Sequence, residues 1–140
     1  MKSRKTGFTS ASSASSVVAC FFVFAALLSA QGRTWTIPDG AADERNPLAA
    51  NADVLKKGAS LYQSHCQGCH GARGHGDGPD ADLKDARRKP ANLWVSQTPD
   101  GVMFYKIWNG RDEPKMPAFK SQMTKDEVWA VTAYAVSLRP

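Results

Sequence analysis

His65-Cys66-Gln67-Gly68-Cys69-His70, followed at once by Gly71-Ala72-Arg73-Gly74-His75-Gly76-Asp77-Gly78-Pro79-Asp80, is the stretch of this 140-residue sequence from which its architecture is best read. Residues 71–80 hold four glycines and a proline and must form a loop. Upstream, Asn51 can cap a helix in which Val54, Gly58, Leu61 and Tyr62 recur at helical spacing up to the cysteines. Downstream, the basic stretch Lys84 to Lys89 leads to Pro90, Asn92, Leu93 and Trp94. Thr98-Pro99-Asp100 then reads as a helix start with proline at the first helical position. That helix carries Val102, Met103, Tyr105, Ile107 and Trp108 and stops at Asn109-Gly110. A second loop, 111–123, contains Pro114 and Pro117. Thr124 and Glu127 have the spacing of a capping box, opening a last helix whose buried face is Val128, Val131, Tyr134, Ala135 and Leu138. No strand-like alternation of useful length and no internal repeat occurs. The expectation is an all-α domain over residues 51–140, with about three main helices and long loops.

Such loops are awkward for a small helical domain, because compact bundles join their helices through about 2–8 residues. A chain of about 90 residues buries little core on its own. A large apolar cofactor would solve both problems by forming the core. Cys66-Gln67-Gly68-Cys69-His70 supplies its attachment point, since Cys-x-x-Cys-His is the c-type haem attachment motif. Each thiol can form a thioether by adding to a haem vinyl group, and His70 can offer a ring nitrogen to the iron. A thioredoxin-like pair lacks its βαβ setting here. A structural zinc site lacks a second ligand pair outside the crowded His65, Cys66, Cys69 and His70.

The second axial position has several candidates. His65 is too near the attachment segment to reach the opposite face, and His75 lies only five residues past His70. Met103 falls on the apolar side of a helix, where methionine ordinarily packs in a core. Met116, in Lys115-Met116-Pro117-Ala118-Phe119, is favoured because Pro117 holds its backbone extended and lets the side chain project from the loop. Met123, just before the last helix, is the alternative.

Working outward to the N-terminus, residues 1–30 carry Lys2, Arg4 and Lys5 and no acidic residue. An unbroken apolar run from Val17 to Leu28 follows, ending in Ser29-Ala30. This is the pattern of a secretory signal peptide, and the run is shorter than the roughly 20 apolar residues that span a bilayer. Export to the bacterial periplasm is therefore expected, with membrane tethering only if this segment is retained. Lys2, Arg4 and Lys5 supply three of the five net positive charges, so the rest of the chain is close to neutral. Nucleic acid is not an expected partner. Lys84, Arg87, Arg88 and Lys89, with Lys115, Lys120 and Lys125, could steer docking to an acidic partner, but Asp80, Asp82 and Asp85 interleave with the first group, which favours a solvated face. Residues 31–50 are polar, hold two prolines and read as an extended arm pinned by Trp35 and Ile37.

From Gly58 to Leu138 the chain resembles the class I c-type cytochromes of the small bacterial monohaem kind. Gly58 and Tyr62 match the glycine and aromatic of the family's N-terminal helix, and Cys66, Cys69 and His70 match its attachment motif. Met116-Pro117 match its distal ligand loop, while Val131 and Tyr134 match the C-terminal helix positions that pack on the glycine. Pro90 resembles the proline whose carbonyl accepts a hydrogen bond from the proximal histidine, with Pro79 as a rival. The resemblance implies a cytochrome c fold around one covalent haem c, and electron transfer between redox partner proteins. Iron held by His70 and Met116 would cycle between Fe(III) and Fe(II) without binding substrate, so enzymatic activity is not expected. Leu93, Trp94, Trp108 and Phe119 are candidate walls of the haem pocket. A haem c subunit of a larger oxidoreductase and an open-site haem enzyme or gas sensor are the alternatives.

Overall fold

The structure, a computed structural model, describes residues 35–140 except Pro114. The expected signal peptide lies outside the described residues. Four helices follow in order: α1 (Ala52–His65), α2 (Gln67–His70), α3 (Asp100–Asn109) and α4 (Lys125–Ser137). Among the described residues there is no strand, only an isolated antiparallel bridge between Arg111 and Met116. The fold is all-α.

Local chemistry sets the helix ends. The Asn51 side chain accepts from the Val54 amide, 3.0 Å away, and satisfies one of the amides left free at the start of α1. At α4 the capping box closes fully: Thr124 Oγ1 accepts from the Glu127 amide, and Glu127 Oε2 accepts from the Thr124 amide at 2.9 Å. Pro99 is the N-cap of α3 and not its first helical residue, so the helix starts one residue later than expected, because the ψ of 152° at Pro99 is extended rather than helical. α3 ends at Gly110, whose φ of 63° suits glycine. A Cβ there would also meet Met116 O at 2.6 Å and the Pro117 carbonyl carbon at 2.7 Å. The absence of a side chain lets the Met116 loop fold back on the end of α3.

α1 and α3 both pack on α4. At the α1–α4 crossing Gly58 is buried, and a Cβ on it would strike the Ala130 carbonyl oxygen and come within 2.8 Å of Tyr134 Cβ. Tyr134 meets the glycine as the resemblance implies, but its partner there is Ala130, and Val131 turns elsewhere. α4 is buried all round, from Val128 through Ala133 and at Ala135, rather than along one face. It lies between α1 on one side and α3 on the other, so its sequence needs no polar stripe. Trp129 is stacked on Phe104, 4.3 Å between centroids, and joins α4 to α3.

Residues 35–50 do not stand away from the domain. Ala41 is 1% exposed, Asn46 Nδ2 donates to the Trp129 carbonyl at 2.8 Å, and Leu48 packs against the core.

Candidate functional site

The Cys66–His70 segment is a single tight turn of chain. Cys66 ends α1 and caps α2, and Gly71 ends α2. A helix this short has nearly every carbonyl in want of a donor. The glycine-rich loop supplies them: Gly76 N donates to His70 O (2.8 Å), Gly78 N to Cys69 O (3.2 Å) and Asp80 N to Gly68 O (2.8 Å). The buried Tyr62 hydroxyl donates to Gly71 O at 2.8 Å and fixes the turn against α1. Burial, with Cys66, Tyr134 and Asp77 close by, holds the Tyr62 phenol well above its ordinary pKa, so the hydroxyl keeps its proton.

His70 Nδ1 lies 3.1 Å from the Ala91 carbonyl oxygen. A carbonyl can only accept, so Nδ1 carries the proton and Nε2 is left with a free lone pair. Burial lowers the His70 pKa and the bond to Ala91 partly opposes this, which favours the neutral ring. The acceptor is Ala91 and not Pro90. The Pro90 carbonyl lies against Gly76, within 2.5 Å of where a Cβ would stand, and is turned away from the ring. Pro79 accepts nothing from it either.

Tyr62, Cys66, Cys69 and His70 line one side of a cavity of about 460 Å³. Met116, Pro117 and Phe119 of the second loop line it too, with Met103 and Ile107 of α3 and Val131 and Ala135 of α4. Both cysteines are free thiols. Cys66 is the more buried, and desolvation, helped by the charge of nearby Cys69, pushes its thiol pKa up to about 12. Met116 is held in extended backbone by its bridge, exchanging two 2.8 Å hydrogen bonds with Arg111.

Cys66, Cys69, His70, Pro90, Leu93, Met116 and Phe119 thus share this cavity. Trp94 and Trp108 do not line it, contrary to the sequence expectation. Trp94 is 39% exposed with its ring beside His75, and Trp108 is stacked over Phe104 at 5.8 Å against the core. Met123 is buried in the core, 6% exposed, away from the cavity. Sequence reasoning weighed Met103 but assigned it to the ordinary core, whereas it lines the cavity, and it missed Ile107, Val131 and Ala135 as wall residues. Their apolar spacing was visible, but it marked core in general. Trp35 was expected only to pin the arm, and it also lines the cavity.

Residues 53–134 match the family described as cytochrome c oxidase, cbb3-type, subunit III. The chain belongs to this family of class I cytochrome c domains. A chain of the reducing HAO-like protein complex of Kuenenia stuttgartiensis is similar in structure, with a TM-score of 0.58 and 25% identity. The similarity covers 67% of this chain and 47% of that one, so this cytochrome c domain spans about half of its solved neighbour. The comparison with curated proteins gave no match.

A cytochrome c domain implies covalently bound haem c and haem-based electron transfer. The donor set fits such a group. Two free thiols, the half-buried His70 imidazole with a single uncommitted nitrogen and two thioethers, Met103 of α3 and Met116 of the second loop, line a largely apolar cavity. That is a set for soft, covalent haem binding and not for zinc. Among the described residues, no three His, Cys, Asp or Glu side chains gather to hold a metal ion directly. Among them, too, no helix is long and apolar enough to cross a membrane.

Proposed function

We propose that this cytochrome c domain carries one haem c, bound through Cys66 and Cys69, and passes single electrons between redox proteins outside the cytoplasm. One observation carries the reading: His70, its Nδ1 tied to the Ala91 carbonyl at 3.1 Å, shares an apolar cavity with both free thiols and with Met116. The haem iron supplies the one-electron Fe(III)/Fe(II) couple. Ala91 fixes the tautomer and plane of His70, so that Nε2 is the nitrogen that would hold the iron, made more basic by the bond behind it. Met116 would offer its thioether to the iron from the other loop, delivered by extended backbone between the Arg111 bridge and Pro117. A thioether favours the reduced iron, and so do walls such as Phe119 and Val131, which keep water from the extra charge of the oxidised state. With His70 and Met116 both holding the iron, the domain would move electrons and transform no substrate. The chain is organised as a signal peptide over 1–30, a segment 31–50 and the cytochrome c domain over 51–140.

The test is spectroscopic. Protein produced with a c-type maturation system should give a haem absorbance that stays with the denatured chain. The oxidised form should show the weak far-red band of sulfur-to-iron charge transfer. Met116→Ala should abolish that band, lower the midpoint potential and let the reduced protein bind CO. Persistence of the band would remove Met116 from the iron, and rapid CO binding by the unaltered protein would point to an open site.

A second reading is favoured by the comparisons: residence in a larger oxidoreductase complex. The matching family takes its description from an oxidase subunit, and the solved neighbour belongs to a protein complex. Co-purification from native membranes with a larger assembly would select it. Isolation of the chain alone would leave the single carrier.

A further inference from the structure

The carbonyl that orients His70 sits in backbone with no regular structure. Residues 90–99 contain neither helix nor strand. Their amides reach the rest of the domain at Gly74, whose carbonyl accepts from Leu93 N at 2.6 Å and from Trp94 N at 3.4 Å. Two residues on, Gly76 N donates to His70 O at 2.8 Å. Residues 74–76 therefore tie the backbone of His70 to the segment that carries its acceptor.

Gly74 and Gly76 are both buried, and both have positive φ, 75° and 73°. At Gly76 the missing side chain is also needed space. A Cβ there would stand 2.5 Å from Pro90 O, 3.3 Å from the Pro90 carbonyl carbon and 3.4 Å from the Ala91 carbonyl carbon. The backbone of Pro90 and Ala91 thus lies directly on Gly76. Seated there, the Pro90 oxygen faces the glycine and the Ala91 oxygen meets His70 Nδ1 at 3.1 Å. That distance is near the long end for an N–H···O bond, so a small displacement breaks it.

We propose that Gly76 is a positioning residue for the haem iron: its bare backbone seats Pro90 and Ala91, and so sets the strength of the bond that Ala91 accepts from His70. The inference rests on the haem reading above and adds a determinant of the potential that does not line the cavity. An imidazole whose Nδ1–H is well bonded is the more basic ligand at Nε2, which favours oxidised iron. Weakening that bond raises the midpoint potential. Loosening the pocket does the reverse, because entering water favours the more highly charged oxidised state. The opposite signs separate positioning from packing.

The experiment uses the full haem-loaded chain. Potentiometric titration gives the midpoint potential, and proton NMR of the reduced form follows hydrogen exchange at His70 Nδ1. In Gly76→Ala the Pro90 oxygen must withdraw by at least about 0.9 Å to reach ordinary contact with the added Cβ. The potential should rise and the far-red sulfur band should stay. Exchange at Nδ1 should quicken by roughly 2–10-fold, the range spanned by loss of one hydrogen bond. Gly76→Asn carries the same Cβ but takes positive φ more readily, so it should show the same rise and decides the matter if Gly76→Ala does not hold haem. Gly40→Ala is the control for backbone strain alone, since φ there is 81° and nothing lies within 4 Å of its Cβ position. It should match the wild type in both measurements. A potential that is unchanged or lower in the Gly76 variants would overturn the proposal alone. So would an equal rise in Gly40→Ala, or an unaltered exchange rate at Nδ1. Absence of covalent haem from the wild-type chain would overturn the haem reading and the proposal together.

Discussion

Replacing Gly58 by alanine should destabilise the domain, although alanine is the better helix former. The Cβ would stand against the Ala130 carbonyl oxygen, with the Ala130 carbonyl carbon and Tyr134 Cβ each at 2.8 Å. Ordinary contacts of a Cβ are 3.4–4 Å, so α1 and α4 must part by at least about 0.6 Å. None of the three atoms can move by changing a rotamer: two are backbone and the third is fixed to it. A gap of about 0.5–1 Å forfeits roughly a quarter to a half of the dispersion energy of every pair along the crossing. Overpacking of this kind costs about 1–3 kcal/mol, against a gain of about 0.5–1 kcal/mol in helix propensity. The net loss should be about 1–2 kcal/mol, and each kcal/mol lowers Tm by about 4–8 °C in a domain of this size. Urea unfolding of the haem-loaded protein, followed by far-ultraviolet circular dichroism, should show a lower midpoint with an unchanged slope. A second variant sharpens the reasoning: adding Tyr134→Ala should not rescue Gly58→Ala, because the 134 Cβ and the Ala130 carbonyl both remain. An unfolding midpoint for Gly58→Ala equal to or above that of the parent would refute the argument, and so would rescue by Tyr134→Ala.

Tyr62→Phe removes the donor to Gly71 O, but that carbonyl still accepts from Gly74 N at 3.1 Å, so the loss should be roughly 0.5–1.5 kcal/mol by urea unfolding. Thr124→Ala takes away the α4 cap and should cost about 0.5–2 kcal/mol in the same assay. The Glu127 carboxyl is held below its ordinary pKa by the Thr124 amide first, then by the Thr124 hydroxyl and Lys57, so its contribution is present above the ordinary glutamate pKa and is lost as pH falls through the lower folded value. Glu127→Gln should therefore flatten the pH dependence of stability on the acid side and leave the slope near neutral pH unchanged; an unaltered acid slope would contradict this. Trp94→Ala, at a site 39% exposed and off the cavity wall, should leave the haem spectrum and midpoint potential as they are, and a changed far-red band would show that the indole reaches the haem after all.

The elements that were legible in the sequence are those whose signals are local. Asn51, the Thr124–Glu127 pair and Gly110 each act on backbone groups within a few residues, and α1, α3 and α4 begin or end beside them. α2 was not foreseen, because four residues are too few for any apolar period. The cavity was legible in its chemistry and less so in its walls. Cys66, Cys69, His70 and Met116 are named by reactive or out-of-place side chains. A tryptophan announces only that it will be buried somewhere, and Trp94 and Trp108 turn to His75 and Phe104 instead. The acceptor for His70 slipped from Pro90 to Ala91 for a related reason: successive carbonyls point in different directions, and packing against Gly76 decided which one faces the ring.

The packing of residues 36–44 along α3 was hidden by a different rule. Gly101 and Asn109 carry no apolar side chain and Tyr105 reads with the apolar residues of α3, so nothing local marks the three as one stripe, and a stripe with polar groups normally meets water. Here it meets another stretch of backbone, and each of the three suits that partner. Gly101 leaves room for the Ala41 carbonyl, Asn109 donates to Thr36 O, and Tyr105 donates to Glu44. A stripe with a gap at one end and hydrogen-bond donors along it is complementary to a looped segment with free carbonyls, here turned at residues 39–43. The consequence reaches the cavity because Lys106 follows Tyr105 directly and Arg111 follows Gly110, which carries the end of α3 back towards Met116. The same helix therefore packs residues 36–44 on one stripe and turns Met103 and Ile107 into the cavity on the next, with Lys106 between them and Arg111 just past the helix end, both beside Trp35.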